Sequence, residues 1–124
     1  MSDELSKLPP NVQERLLRLQ QLQQTLQTIL AQKQQVEMEK TEVEQTLAEL
    51  VKTADDAVIY KAVGSLLVKA EKAKVNDELT ERKSLLDTRS TVMARQEERI
   101  RAQVKEAQTK LQEDLSPVSG QPLS

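Results

Sequence analysis

The sequence predicts a mostly α-helical chain, two long helices folded back as an antiparallel coiled-coil hairpin with one β-hairpin at the apex. Three observations carry that expectation. First, positions 12, 15, 19, 22, 26, 29, 33, 36, 40, 43, 47 and 50 step alternately by three and four, and nine of the twelve are apolar. Second, Leu79, Leu86, Met93, Ile100 and Ala107 recur every seven residues in the other half. Repeats of this kind mark helices wound around a partner. Third, the segment between them, DDAVIYKAVGSLLVKA (55–70), has no heptads and is rich in β-branched and apolar residues. Helical segments of near-equal length on either side of it favour one folded-back pair over two separate rods.

The chain organises as one domain over 1–124, beginning with a flexible lead at 1–8. Pro9 and Pro10 suit a helix start, and Asn11 with Glu14 three residues on reads as a capping box. Helix 1 is expected over about 10–52, through helix-favouring Leu, Gln, Glu, Lys and Ala with no Gly or Pro after Pro10. Heptads run straight through its Gln-rich stretch (20–35), which therefore reads as a solvated helix face and not as a disordered tract. Asp55 and Asp56 close that region. Gly64-Ser65 then splits an apolar run over about 57–70, and Gly first in a two-residue loop suits a type II′ turn. Such a turn pairs Val63 with Leu66, Lys61 with Val68 and Ile59 with Ala70, leaving Val58, Tyr60, Ala62 and Leu67 on the other face. Both faces are largely apolar. A hairpin like this is not stable alone in water, and its open edges invite further strands. Helix 2 is expected over about 72–115, stopped by Ser116-Pro117, with Glu78–Arg82 and Glu97–Arg101 as i,i+4 pairs. A flexible tail at 116–124 follows.

Pairing the two seams outward from the insert sets Leu47 against Leu79, Val36 against Ser90, Leu26 against Ile100, Leu22 against Val104 and Leu19 against Ala107. The centre is poorer, with Lys33 opposite Met93 and Ile29 opposite Glu97. The second seam of helix 2 (Asn76, Lys83, Ser90, Glu97, Val104, Leu111) is mostly polar.

Composition narrows the function. The chain has 124 residues, and its one aromatic residue is Tyr60, so a globular core would be hard to fill, whereas coiled coils need only aliphatic residues. A net charge of −2 argues against general binding to nucleic acid or to an anionic membrane. No apolar run approaches a bilayer span, and MSDELSKLPP has no apolar h-region, so a cytoplasmic protein is expected. His and Cys are absent, which removes the commonest bases, nucleophiles and transition-metal ligands. No catalytic residue, metal site or cofactor is expected, and the chain reads as a non-enzyme. Asp55-Asp56 lacks the further oxygens a hard cation needs and reads as a helix-end or turn element. Arg95, Arg99, Arg101 and Lys105 are interleaved with Glu97, Glu98 and Glu106, which describes a solvated face.

Two groups of residues remain as candidates for function. Val58, Ile59, Tyr60, Val63, Leu66, Leu67 and Val68 form the insert that demands assembly. Leu5, Leu8, Val12, Leu16, Leu17, Leu111, Leu115 and Val118 cluster at the far ends of the helices. There Val12, Leu16 and Leu111 have an alternative reading, finishing the seam, beside the functional one in which the group forms an exposed hydrophobic grip.

The segments LPPNVQERL (8–16), QQLQQTLQ (20–27), KQQVEMEKTEVEQTLAEL (33–50), DDAVIYKAVGSLLVKA (55–70) and RQEERI (95–100) resemble β-class prefoldin subunits, most of all the archaeal form. The resemblance spans roughly residues 8–115, and the hairpin is its specific part. It implies coiled-coil hairpins hung from a shared oligomeric β-barrel to which each chain gives its strands. The implied assembly is a hexamer of two α-class and four β-class subunits, with an α-class partner for this chain. The implied activity is capture of unfolded client polypeptides without ATP and delivery to a group II chaperonin. About twenty residues separate the helices, room for one hairpin where the α class has two. Two other classes fit parts of the sequence. A structural spacer or tether accounts for the heptads but not the insert. A nucleic-acid-gripping arm would favour a basic rod and a plain apical turn.

Overall fold

A computed structural model describes residues 7–115. In chain order the elements are helix α1 (Pro10–Val51), strand β1 (Ile59–Val63), strand β2 (Leu66–Ala70) and helix α2 (Lys72–Leu115). The flexible segments expected at 1–8 and 116–124 lie outside the described residues, apart from Lys7 and Leu8.

Helix α1 starts as its prolines dictate but not through the expected box. The Pro9 carbonyl accepts from the amides of Val12 and Gln13, both at 3.0 Å, so Pro9 is the cap and Pro10 the first helical residue. Asn11 is thereby drawn into the first turn and cannot cap. Gln13 Nε2 instead donates to the Leu8 carbonyl at 2.7 Å, tying the lead to the helix. At the other end the turn tightens, with Lys52 N to Glu49 O and Thr53 N to Leu50 O each at 3.1 Å. The apolar repeat becomes a buried stripe along the helix: Leu22, Ile29, Val36, Val43 and Leu50, spaced by seven, are all buried.

The chain packs as two units. One comprises residues 1–32 and 93–124, the other residues 33–92. In the first, Val12, Leu19 and Leu111 form a buried cluster, against which Leu8, Leu16, Val104 and Ala107 pack. Leu19 and Ala107, expected to oppose one another, thus share one cluster. Arg15 Nε meets Asp114 Oδ2 at 2.6 Å, an ion pair that closes the cluster's edge.

In the second unit polar pairs mark the alignment. Ser90 Oγ donates to Glu37 Oε2 at 2.7 Å. Lys40 Nζ lies 3.0 Å from Asp87 Oδ1, and Lys83 Nζ 3.7 Å from Glu44 Oε2. Each step forward on α1 is matched by an equal step back on α2, so the helices run antiparallel within one residue of the alignment that sets Val36 against Ser90. The hydrogen bond to Asp87, reinforced by that carboxylate's charge, raises the pKa of Lys40 above the ordinary lysine value. Its contribution to stability is therefore whole below that ordinary value and lost as the pH climbs through the raised one. The expected Glu78–Arg82 pair does not form. Glu78 is taken by Lys61 of β1 at 2.9 Å and Arg82 by Glu39 of α1 at 3.1 Å, so pairs between elements displace the pair within one. Arg101 and Glu97, in the first unit, do pair as expected, at 2.8 Å.

Among the described residues Leu86 is the most deeply enclosed side chain, 1% exposed. Truncation of a buried leucine removes its transfer free energy and leaves a cavity. Leu86→Ala should therefore destabilise the fold by about 2–5 kcal/mol. Chemical denaturation followed by circular dichroism measures this, and a loss below about 1 kcal/mol would show that the seam does not depend on this residue.

Candidate functional site

The hairpin follows from its turn. Gly64 has φ +61°, and no other described residue has positive φ, so Ser65 cannot supply the second positive φ of a type I′ turn. The type II′ turn remains, with glycine in its first central position. The resulting register is Ile59–Ala70, Tyr60–Lys69, Lys61–Val68, Ala62–Leu67 and Val63–Leu66, the pairing expected from the sequence. Among the described residues each strand pairs only with the other, so both outer edges are open.

Two lysines hold this hairpin on the helices. Lys72 Nζ donates to the Thr53 carbonyl at 2.6 Å and to Asp55 Oδ1 at 3.0 Å, bridging the end of α1 to the start of α2. Asp55 therefore has the turn role expected of it. Lys61 reaches both oxygens of Glu78, at 2.9 and 3.2 Å. No sequence pattern points to Lys72, because its partners are a backbone carbonyl and a carboxylate far away in the chain.

What the clamps hold out is apolar surface. Exposure runs from 43% at Val68 to 73% at Leu67, with Val58, Tyr60, Val63 and Leu66 between, and only Ile59 of the seven insert candidates is partly covered. Isolated exposed aliphatics are ordinary, but six within eleven residues of one hairpin make a patch of the kind that marks an interaction surface.

At the other ends of the helices the candidates divide. Val12 and Leu111 are buried in the cluster with Leu19 and complete the seam. As folded, they are unavailable to a grip, because the apolar repeat continues to its last turn. Leu8 and Leu16 are half-buried against that cluster. Leu17 and Leu115 stand out at 55% and 53% exposure. Leu5 and Val118 lie outside the described residues. Met38, Leu85 and Val92 are also exposed, off the seam. Among the described residues there is no group of His, Cys, Asp or Glu disposed to hold a metal ion. No described helix is long and apolar enough to cross a membrane.

A helix pair carrying an open-edged apolar hairpin is a building block, a subunit whose strands require neighbours. Residues 13–117 match the family model described as prefoldin subunit. The chain is 47% identical over 116 residues to the prefoldin subunit beta of Archaeoglobus fulgidus, covering 94% of this chain and 100% of that one. It is 47% identical over 109 residues to the prefoldin subunit beta of Methanothrix thermoacetophila, covering 88% and 91%. The crystal structure of the prefoldin beta subunit from Thermococcus strain KS-1 superposes with a TM-score of 0.79 at 41% identity, covering 88% of this chain and 96% of that one. The chain belongs to the prefoldin family of chaperone subunits, in its β class.

Proposed function

We propose that this chain is a β-class subunit of a cytoplasmic, ATP-independent holdase in which two α-class and four β-class chains share a β-barrel. The exposed apolar hairpin carries the reading. Val58, Ile59, Tyr60, Val63, Leu66, Leu67 and Val68 are its assembly residues, covered when neighbouring strands add to the open edges. Activity is passive binding and needs neither catalysis nor a cofactor. Leu17 and Leu115 make the first contacts with unfolded clients, aided by Leu8 and Leu16 and by Leu5 and Val118 of the segments beyond. Val12 and Leu111 join only when the last turns fray. Clients then pass to a group II chaperonin. A spacer or tether would have no use for the hairpin.

The test is co-expression with an α-class subunit, native mass measurement and an aggregation-suppression assay without nucleotide. A hexamer that protects clients is expected. A stable dimer of this chain that ignores the α-class partner would favour the tether.

A further inference from the structure

Within the second packing unit, polar groups beside the seam are answered inside the chain: Lys40 by Asp87, Lys83 by Glu44 and Ser90 by Glu37. Away from the seam two stripes are left over. On α2, Leu85, Arg89 and Val92 follow one another by four and three, so they share one side of the helix. All three are exposed, the two aliphatics at 59% and 45%. On α1, Met38, Glu42 and Gln45 also follow by four and three, and all are exposed, Met38 at 55%.

Arg89 and Glu42 are in no ion pair among the described residues, and the sequence gives the reason. The residues three and four places from Arg89 are Leu85, Leu86, Val92 and Met93. Those around Glu42 are Met38, Glu39, Gln45 and Thr46. None carries the opposite charge, so neither helix supplies a partner of its own.

The two stripes complement each other. Taken in opposite directions, they set Met38 on Val92, Glu42 on Arg89 and Gln45 on Leu85. One step further Glu49 meets Arg82, again acid on base, although each also has a partner in its own chain. The chain's own alignment, with Glu37 bonded to Ser90, is out of this register by about 7 Å along the rod. The match therefore needs a second copy.

We propose that the α1 stripe of a second copy of this chain docks on the α2 stripe, with Met38 over Val92, Glu42 against Arg89 and the stem of Gln45 over Leu85. The docked α1 runs opposite to α2, so the two copies point the same way. The contact is heterologous: each copy offers one stripe of each kind and can be held on both sides. It covers about 10 Å of each rod, far less than the roughly 1,600 Å² of a standard stable interface, so it is a weak lateral contact between copies that another surface gathers. It goes beyond the holdase reading, because it involves neither the hairpin nor the far ends.

The native chain has no cysteine, so introduced cysteines report the contact cleanly. Thr41 and Thr88 are exposed beside the stripes, and their hydroxyls bond only the carbonyls of Glu37 and Ser84 in their own helices. Full-length Thr41→Cys and Thr88→Cys chains are mixed at high micromolar concentration and treated with a short bismaleimide. The mixture should give clearly more crosslinked dimer than either variant alone, with peptide mass analysis joining position 41 to position 88. Glu42→Arg in the Thr41→Cys chain sets two arginines face to face and should cut the yield by about threefold. Adding Arg89→Glu in the Thr88→Cys chain restores opposite charges and should restore the yield. That recovery separates a lost contact from a damaged fold. A mixture that links no better than either variant alone overturns the proposal, as does a yield indifferent to the first reversal or not recovered by the second. If the chain instead fails to assemble with an α-class partner, the holdase reading fails and the crosslink result stands.

Discussion

Replacing Val63 and Val68 together with aspartate should abolish assembly with the α-class partner while leaving the helices formed. The two side chains lie on one face of the hairpin, diagonal across the Lys61–Val68 and Val63–Leu66 pairs, and both are about half exposed. Little within the subunit depends on them, so the subunit's own stability should change little. In an assembly the same positions would be buried, and two carboxylates taken out of water without partners cost several kcal/mol each. In the proposed assembly four substituted chains share one barrel, which multiplies that cost, so assembly should be lost outright and not merely weakened. Native mass spectrometry reads the assembly and circular dichroism the helicity. A hexamer that survives both substitutions would place the subunit contacts somewhere other than the hairpin. Loss of helicity together with assembly would instead mean that the hairpin organises its own chain.

The hairpin and the helices were legible for the same reason: local chemistry decides them. Gly64 alone selects the turn, the turn sets the register, and the register puts Val63 opposite Leu66. The alternation of three and four likewise determines which face of α1 is buried, down to Val36 and Val43. Sequence reasoning failed where one local pattern competed with a partner from elsewhere. Asn11 and Glu14 satisfy the capping-box spacing, yet the prolines before them start the helix early and leave Asn11 inside it. Glu78 and Arg82 have the right spacing to pair, yet each finds a partner on another element. The bridge from Lys72 to Thr53 and Asp55 is of the same kind. At the helix ends the sequence left two readings for Val12, Leu16 and Leu111, seam or grip, and placed Leu17 and Leu115 off the seam. Burial separates four of the described ones, with Val12 and Leu111 inward and Leu17 and Leu115 outward, because the seam position of each is fixed only once the second helix lies against the first.

Those outward leucines support the second large effect. Substituting Leu17 and Leu115 together with serine should leave the assembly intact and remove most of its protection of aggregating clients. Deleting both ends of the chain is a cruder version of the same test. It would also remove the Leu8 carbonyl that Gln13 holds, the Pro9 cap and the Asp114 partner of Arg15, so lost protection could come from fraying. The serine variants keep the backbone and these contacts. Leu17 and Leu115 contribute little to the fold because about half of each side chain remains in water. Against a client each is worth at most about 1.5–3 kcal/mol, so one subunit binds weakly and releases readily. Several subunits on one platform convert such contacts into useful avidity through effective concentration. That dependence is multiplicative, so removing the contacts from every β chain at once should collapse protection by far more than the loss at any single site. Light scattering of a chemically denatured client, diluted into equal amounts of native and variant assembly, measures the effect. Full protection by the serine variants would move client binding to other surfaces, and the exposed leucines Leu17 and Leu115 would then have no part in it.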